Sequence, residues 1–378
     1  MLIRRSDRGL IANWWFTVDK ALLSSVLLLM AAGVLISMAA SPPVAERIGL
    51  NSFHFFKNQL FYLFPAIGVL IGTSLLRSYQ AKRIAFIVFG VSLVLMVLAL
   101  FIGPEIKGAH RWLNIGPLNL QPSELAKPAF VVMVAWFLAE RTKRPEMPGH
   151  FVAFALAIVF VVLLVLQPDF GQTALVVLTF AAMLLIYGIS WILVGGLASL
   201  GAVGVLAAYF LAAHVRSRVD RFLNPDKGDT FQVDTATQAF QSGGLLGAGP
   251  GAGEAKLILP DSHTDFAFAV VGEEFGFVAC IALMGLFALI VMRVLKRAKD
   301  EADPFAALSM AGLVTIFGLQ SMINMGVNVS LLPAKGMTLP FISYGGSSLI
   351  GMAFAMGLVL CFGRRRPVMA ASGQPAYA

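Results

Sequence analysis

Three carboxylates, Asp265, Glu273 and Glu274, sit at the mouth of or inside an apolar run that begins at Phe266 and reads FAFAVVGEEFGFVACIALMGLFALIVM. A carboxylate at the centre of a bilayer costs on the order of a few kcal/mol, so acids placed there mark chemistry or a buried partner. Asp265 follows PDSHT, in which Ser262 or Thr264 can cap a helix. It therefore falls in a first turn, where the helix dipole keeps an anion charged. An ionised, partly dehydrated carboxylate there can take a proton from a hydroxyl as a general base. The plain alternative is an acid that merely caps. Glu273 and Glu274 lie about two turns deeper, and each residue advances by roughly 100°, so the two cannot both face the partner of Asp265. At least one is expected to pair with a basic or polar group on another helix.

Other stretches carry polar chemistry. GAHRWLNIGPLNLQPSELAK (108–127) brings Arg111, Trp112, Glu124 and Lys127 near one interface. Pro122 and Ser123 open a helix, with Ser123 a candidate N-cap, and Glu124 and Lys127 share its face. These residues read as an interfacial tryptophan with a stabilising ion pair, or as the wall of a polar cavity. QPDFGQ (167–172) puts Asp169 in a turn, where solvation is the plainer reading. PAKGMTLPFISYGGSS (333–348) combines two prolines, paired glycines and hydroxyls, so irregular backbone there must line a cavity or be buried in protein. Lys335, Ser343 and Tyr344 are then candidates to meet an anionic or sugar-like ligand. GGLLGAGPGAG (243–253) fits neither GxGxxG nor GxxxxGK[ST] and reads as a flexible loop that bends sharply. No Walker motif is present. Cys280 and Cys361 lie in separate apolar runs and read as small buried hydrophobes.

The elements that must position these residues are membrane helices. Of 378 residues, 58% are hydrophobic and only 13% charged, with mean hydropathy +0.82, whereas soluble domains carry about 25% charged residues. The expectation is an all-α integral membrane protein of about ten transmembrane helices, near 21–40, 58–76, 84–102, 125–139, 151–166, 173–188, 190–213, 266–292, 306–332 and 345–362. The first is read as a retained span, too long for a signal peptide. The net charge of +8 concentrates in short flanks such as Arg77, Lys82 and Arg83, or Arg293, Lys296, Arg297 and Lys299. That is the positive-inside pattern, which places both termini in the cytoplasm and argues against a nucleic-acid partner. The chain reads as a single polytopic membrane domain, 1–378, with a cytoplasmic N-terminal segment (1–20), one long periplasmic loop at 214–264 and a cytoplasmic tail (363–378). An amphipathic helix over 230–242 is expected on the membrane surface.

In this order, GAHRWLNIGPLNLQPSELAK, QPDFGQTAL, LPDSHTDFAFAVVGEEFGF and LLPAKGMTLPFISYGGSSL resemble the SEDS family (shape, elongation, division, sporulation), polytopic glycosyltransferases of bacterial wall synthesis. The resemblance covers nearly the whole chain. RSDRGLIANWWFTVDKALL, AASPPVAERIGL and GMTLPFISYGGSS lean to the division-type branch, and the elongation type is the alternative. The resemblance implies the SEDS fold and polymerisation of lipid II into glycan strands at the outer face of the cytoplasmic membrane. Asp265 matches the family's essential aspartate, hence the base. Glu124 and Lys127 match a functional acid and lysine, Arg111 and Trp112 a loop signature, and Lys335 and Ser343 a substrate-contact motif. Glu273, Glu274 and Asp169 are given supporting roles. His110 and the loop GAGPGAGEAK depart from the family pattern, which leaves His110 and Glu254 without a role. The resemblance fixes no cofactor and leaves the metal unknown. The chemistry leaves room for a divalent cation, Mg or Mn, at the pyrophosphate. Expected partners are lipid II, a class B penicillin-binding protein transpeptidase packed against the eighth and ninth spans, and other divisome membrane proteins. The implied location is the bacterial inner membrane, at the septum for the division type. A lipid II flippase or other transporter is the competing reading, opposed by the clustering of polar motifs at one face rather than at the midplane and by the lack of repeats. A scaffold acting through its short, plain tails is the third.

Overall fold

A computed structural model of the chain describes residues 9–106, 108–116, 118–189, 231–333 and 336–364, with scattered positions between 195 and 216 and after 367. Most of the span expected at 190–213, the loop up to 230 and Lys335 lie outside the described residues. Apolar runs become helices because only a helix satisfies its backbone groups within one segment in lipid. In chain order they are α1 (Leu10–Thr17), α2 (Lys20–Arg47), α3 (His54–Ser74), α4 (Ser78–Ile102), α5 (Pro122–Lys143), α6 (Gly149–Leu166) and α7 (Phe170–Tyr187). Beyond 230 follow α8 (Phe231–Gly243), α9 (Ala255–Ile258), α10 (Ala267–Lys299), α11 (Pro304–Asn328) and α12 (Gly346–Phe362). Among the described residues, eight helices are long and apolar enough to cross a membrane, and α12 is a shorter apolar one. Nine of the ten expected spans are therefore helical.

The core of the bundle is α5, α11 and α12. Buried residues fill 83% of the apolar window of α5 and 72% of that of α11 but only 28% of those of α4 and α6. Nearly every residue of α12 is buried, against α3, α5 and α11. Aspartates start three helices: Asp19 accepts from Leu22 N–H at α2, Asp169 from Gln172 at α7, and Asp303 from Phe305 at α11, where Pro304 takes the first position.

The structure differs from expectation in five respects. α2 runs on through Pro42 and Pro43 to Arg47, and α10 ends seven residues later than expected, with Lys296, Arg297 and Lys299 in its last turn, where cations suit the dipole. The loop after α4 holds a short antiparallel hairpin, β1 (Leu113–Ile115) with β2 (Leu118–Leu120), turned at Gly116 with φ 62°. The amphipathic helix forms as α8, but it docks on α10 and α11 rather than lying out on the membrane surface. Its buried residues, Thr235, Ala236, Ala239 and Gly243, are small enough for close approach. Finally, α10 is broken at Gly276, whose φ of 78° and ψ of −178° are not helical.

Candidate functional site

Asp265 lies two residues before α10, not in its first turn. It sits in a tight turn where the N–H groups of Thr264, Asp265 and Phe266 converge on the carbonyl of Asp261 at 3.0, 3.1 and 3.3 Å. Neither expected cap acts at α10. Thr264 Oγ1 donates to Asp261 O (3.2 Å), and Ser262 Oγ is buried with no partner among the described residues. The cap comes instead from α11. Asn328 Oδ1 accepts from the third-residue amide of α10, Ala269 N–H, at 3.0 Å. Its Nδ2 donates to the carbonyl of Asp265 at 2.9 Å. One turn earlier, Asn324 Nδ2 donates to the same carbonyl (2.9 Å) and to Met337 O (2.6 Å). Two carboxamides thus fix the backbone that carries the carboxylate. The half-buried side chain faces the 333–348 segment, where a Cβ on Gly336 would lie 3.5 Å from Asp265 Oδ2.

That segment and the PDSHTDF turn are joined by Tyr344 N–H donating to His263 O at 2.8 Å. The rings of His263 and Tyr344 pack on Phe55 of α3, with centroids 4.2 and 5.2 Å away. Burial pushes the Tyr344 phenol above its usual range, against an opposing hydrogen bond with Asn58. Ser343 is buried and its Oγ accepts from Leu339 N–H at 2.9 Å, so its hydroxyl closes the turn. Phe341 is held at φ 65°, a conformation that costs a bulky residue about 1–3 kcal/mol and persists only where the surroundings impose it. Its carbonyl presses on α2 at Gly33, where a Cβ would come within 1.9 Å of the oxygen.

Lys127 is fully buried. Its Nζ donates to Glu124 Oε1 (3.0 Å), Gln172 Oε1 (2.8 Å) and Gln320 Oε1 (3.0 Å). All three ammonium protons are committed inside the protein. The structure places Lys127 and Glu124, both expected to contact substrate, in a network inside the protein. Gln320 passes the connection on, its Nε2 donating to Thr338 O at 3.0 Å, and Thr338 Oγ1 bonds Ser348 Oγ at 2.7 Å. Gln320, Asn324 and Asn328 stand four residues apart on one face of α11, linking the buried ion pair to the Asp265 turn.

The Asp169 carboxylate is 5% exposed, which overturns solvation as its role. It accepts from Gln121 Nε2 (3.3 Å) and faces Arg111 Nη1 at 3.6 Å. Burial pushes its pKa above the usual carboxylate value, opposed chiefly by the Arg111 charge. Arg111 also donates to Gln167 O and Pro168 O, both at 3.1 Å, pinning the hairpin loop to the α6–α7 turn. Trp112 beside it is half-buried. Ser123 does not cap α5. Gln121 occupies that position, its N–H donating to Ser347 Oγ at 3.0 Å, and Ser123 Oγ is buried without a partner among the described residues.

Glu273 and Glu274 are taken up by the glycine-rich loop. Glu273 Oε1 accepts from the N–H groups of Glu254 (2.7 Å) and Ala255 (2.6 Å), and its Oε2 from Lys256 N–H (3.1 Å). Glu274 forms a buried ion pair with Lys256. The loop is not flexible, because it fills the break in α10. Ala248 and Gly249 N–H donate to the carbonyls of Glu273 and Glu274 at 2.9 and 3.1 Å, while Phe277 and Val278 N–H donate to Gly244 and Leu245 O at 2.9 and 3.2 Å. A Cβ on Gly276 would lie 2.3 Å from Gly247 N, so the two backbones meet in direct contact.

Sequence reading missed Asn324, Asn328, Gln320, Phe55 and the break at Gly276. The signal for the first three was present: carboxamides at four-residue spacing in an otherwise apolar helix. Among the described residues no group of three or more His, Cys, Asp or Glu side chains comes together. A divalent cation would therefore need oxygens from a ligand as well as Asp265.

The chain matches the model of the FtsW/RodA/SpoVE family, described as cell cycle protein, over residues 19–366. It is 43% identical over 374 residues to a probable peptidoglycan glycosyltransferase FtsW of Caulobacter vibrioides, covering 98% of this chain and 95% of that one. A protein of the same description from Methylococcus capsulatus is 36% identical over 370 residues, covering 94% and 93%. Among solved structures, a chain from work on the coordination of polymerization and crosslinking by a peptidoglycan synthase complex superposes with TM-score 0.77 at 28% identity, covering 92% of this chain and 98% of that one. The rod shape determining protein RodA of Thermus thermophilus gives TM-score 0.69 at 28% identity, covering 92% and 97%.

Proposed function

The chain belongs to the FtsW/RodA/SpoVE family of cell cycle proteins, and on that premise we propose that it is a peptidoglycan glycosyltransferase of the division type, polymerising lipid II. The observation that carries the reading is the clamping of the Asp265 backbone by two carboxamides of a neighbouring helix. A first-turn acid that merely capped α10 would not need it, because Asn328 already does the capping.

In the proposed reaction the acceptor sugar hydroxyl approaches the Asp265 carboxylate, which takes its proton as the new C–O bond forms at the donor's anomeric carbon. The bond from that carbon to the pyrophosphate oxygen breaks, and the electron pair leaves with the polyprenyl pyrophosphate. Lys127 and Arg111 are committed to internal partners, so we assign the pyrophosphate charge to Lys335, the neighbour of Gly336 in sequence. Mg or Mn entering with the pyrophosphate would add Lewis-acid neutralisation there, its protein ligand being Asp265. Glu273, Glu274 and the loop hold the half-helix that follows Asp265.

Broken helices in transporters leave backbone groups to coordinate cargo. Here the groups at the Gly276 break are consumed by residues 244–249, which weighs against the flippase reading. We place the protein in the bacterial inner membrane at the septum, working with a class B penicillin-binding protein and other divisome proteins. A solved structural neighbour comes from a complex that couples polymerization to crosslinking, which supports such a partner. The test is reconstitution with lipid II and that partner. Wild type should build glycan strands that Asp265→Asn does not. Lipid scrambling without polymer would refute the proposal.

A further inference from the structure

The α11 carboxamides hold the turn of Asp265 by its own carbonyl. The arm of the turn that precedes Asp265 is held by α3. Phe55, in the first turn of α3, lays its ring on the imidazole of His263 with centroids 4.2 Å apart and planes 31° apart. The same ring meets Tyr344 edge-on at 5.2 Å and 67°. His263 and Tyr344 are joined in turn, ring to ring at 5.5 Å and by the 2.8 Å bond from Tyr344 N–H to His263 O. One side chain of α3 therefore touches both segments that border the carboxylate: the turn that carries it and the 333–348 segment that it faces. The base of this contact is firm. Asn58, on the same face of α3, hydrogen-bonds the Tyr344 phenol. His54 braces both residues, with its ring edge-on to Phe55 at 5.4 Å and its Nε2 3.1 Å from Asn58 Nδ2. Deeper in the bundle α3 is keyed to α12. A Cβ on Gly346 would lie 2.6 Å from the Tyr62 ring, and one on Gly357 would strike Thr73, which leaves α3 no room to slide.

With Asp265 as the base of the proposed reaction, on which this inference rests, we propose that Phe55 is a positioning residue that acts on Asp265 through His263. The two carboxamides fix the carbonyl of Asp265 but leave the chain before it free to swing at His263. Phe55 closes that freedom, and its contact with Tyr344 holds the facing segment at the same time. The gap in which an acceptor hydroxyl must meet the carboxylate is thereby set from α3 as well as from α11. An aliphatic side chain of similar volume would fill the space but forfeit the ring geometry, which contributes beyond the area it buries. A small displacement of the base slows the chemical step and leaves ground-state binding in place.

The test is lipid II polymerisation by the full chain reconstituted with its transpeptidase partner, read as kcat and KM. Phe55→Leu should lower kcat about tenfold with KM nearly unchanged. Phe55→Tyr keeps the ring and should restore it. His263→Leu probes the same contact from the turn, so the result does not depend on the folding of one variant, and it should lower kcat to a similar extent. The double variant should lose clearly less than the product of the two losses, because both remove one shared contact. Phe64→Leu, a ring 75% exposed on the same helix, should keep wild-type values. A wild-type kcat in Phe55→Leu, or losses that multiply in the double variant, overturns the proposal. A loss confined to KM assigns the ring to substrate and overturns positioning. Asp265→Asn, run alongside, separates the two readings: its full activity would remove the base and this inference with it, whereas its inactivity beside a wild-type Phe55→Leu overturns Phe55 alone.

Discussion

Replacing Asn328 by alanine separates the positioning of Asp265 from its chemistry. The substitution removes one of the two acceptors of Ala269 N–H, leaving the Phe266 carbonyl at 3.0 Å, and one of the two donors to the Asp265 carbonyl. Ala269 is fully buried and its N–H keeps the Phe266 carbonyl, so the two lost bonds, at about 0.5–1.5 kcal/mol each, together cost about 1–3 kcal/mol. The Asp265 carbonyl keeps Asn324, so the turn loosens without being abolished. Misplacing a base by a fraction of an ångström acts on the transition state, and each ~1.4 kcal/mol is tenfold in rate. The expected result is a kcat for lipid II polymerisation lowered about tenfold to a hundredfold, with KM nearly unchanged because Asn328 is not assigned to substrate. Asn328→Asp keeps an acceptor for Ala269 but buries an unpaired charge against the Asp265 and Asn324 carbonyls, so it should recover neither thermal stability nor kcat. A wild-type kcat in Asn328→Ala, beside an inactive Asp265→Asn, would refute positioning by this residue and leave the base assignment intact. Full activity in Asp265→Asn would remove the base itself.

Lys127→Met leaves Glu124 buried without its counter-charge and should cost about 3–5 kcal/mol, whereas Lys127→Met with Glu124→Gln should recover most of that; recovery of melting temperature in the double variant is the readout, and equal loss in both would return Lys127 to direct ligand contact. Gly276→Ala combines a positive φ with a clash against Gly247 N and should lower the yield of folded protein in detergent far more than Gly285→Ala in the same helix, where no atom lies within 4 Å of the added carbon. The raised pKa of Asp169 means that its ionisation costs stability. The loss should appear as pH rises from about 4 through the raised native value, so the melting-temperature gap between Asp169→Asn and wild type should move in favour of the variant over that range. Asp19 has the opposite sign. Burial alone would raise its pKa, but hydrogen bonds from Arg293 and the Leu22 amide outweigh it and hold the carboxyl low. Its contribution, about 1 kcal/mol for a pair this exposed, should be present at neutral pH and vanish as pH falls below about 4. Arg293→Met should therefore lower the melting temperature at pH 7 and have little effect at pH 3.

The spans were legible because twenty apolar residues in a row have one way to satisfy their backbone in lipid, and nine of those expected are helices here. Glu124 with Lys127 was legible as a pair from its spacing of three. What the pair does was not, because Gln172 and Gln320, which exhaust the ammonium, arrive from α7 and α11. Asp169 was misread for the same reason: a turn looks solvated in sequence, and only the hairpin loop that brings Arg111 over it removes the water. The cap of α10 was sought among Ser262 and Thr264, the residues that normally supply it. Its supply by Asn328, 59 positions from Ala269, is a tertiary event with no local trace.

The break in α10 explains how two glutamates can sit in a membrane helix with both carboxylates paired. A kink at Gly276 leaves two carbonyls and two N–H groups unpaired, which in lipid would cost several kcal/mol each. The loop from Gly243 onward closes all four with its own backbone, and only glycine at 247 and 276 permits the contact. That loop must be held in place against exchange with solvent or lipid. Glu273 gathers its three N–H groups, and Glu274 takes its lysine. The acids thus belong to the loop as much as to the helix. The nine residues from Ala267 to Phe275 form a short rod, tied by Asn328 at one end and by the loop at the other. Asp265 stands at the free mouth of that rod, and loosening either tie should lower its turnover before it lowers substrate affinity. A loss confined to KM in Lys256→Met would contradict that, because Lys256 reaches Asp265 only through the rod.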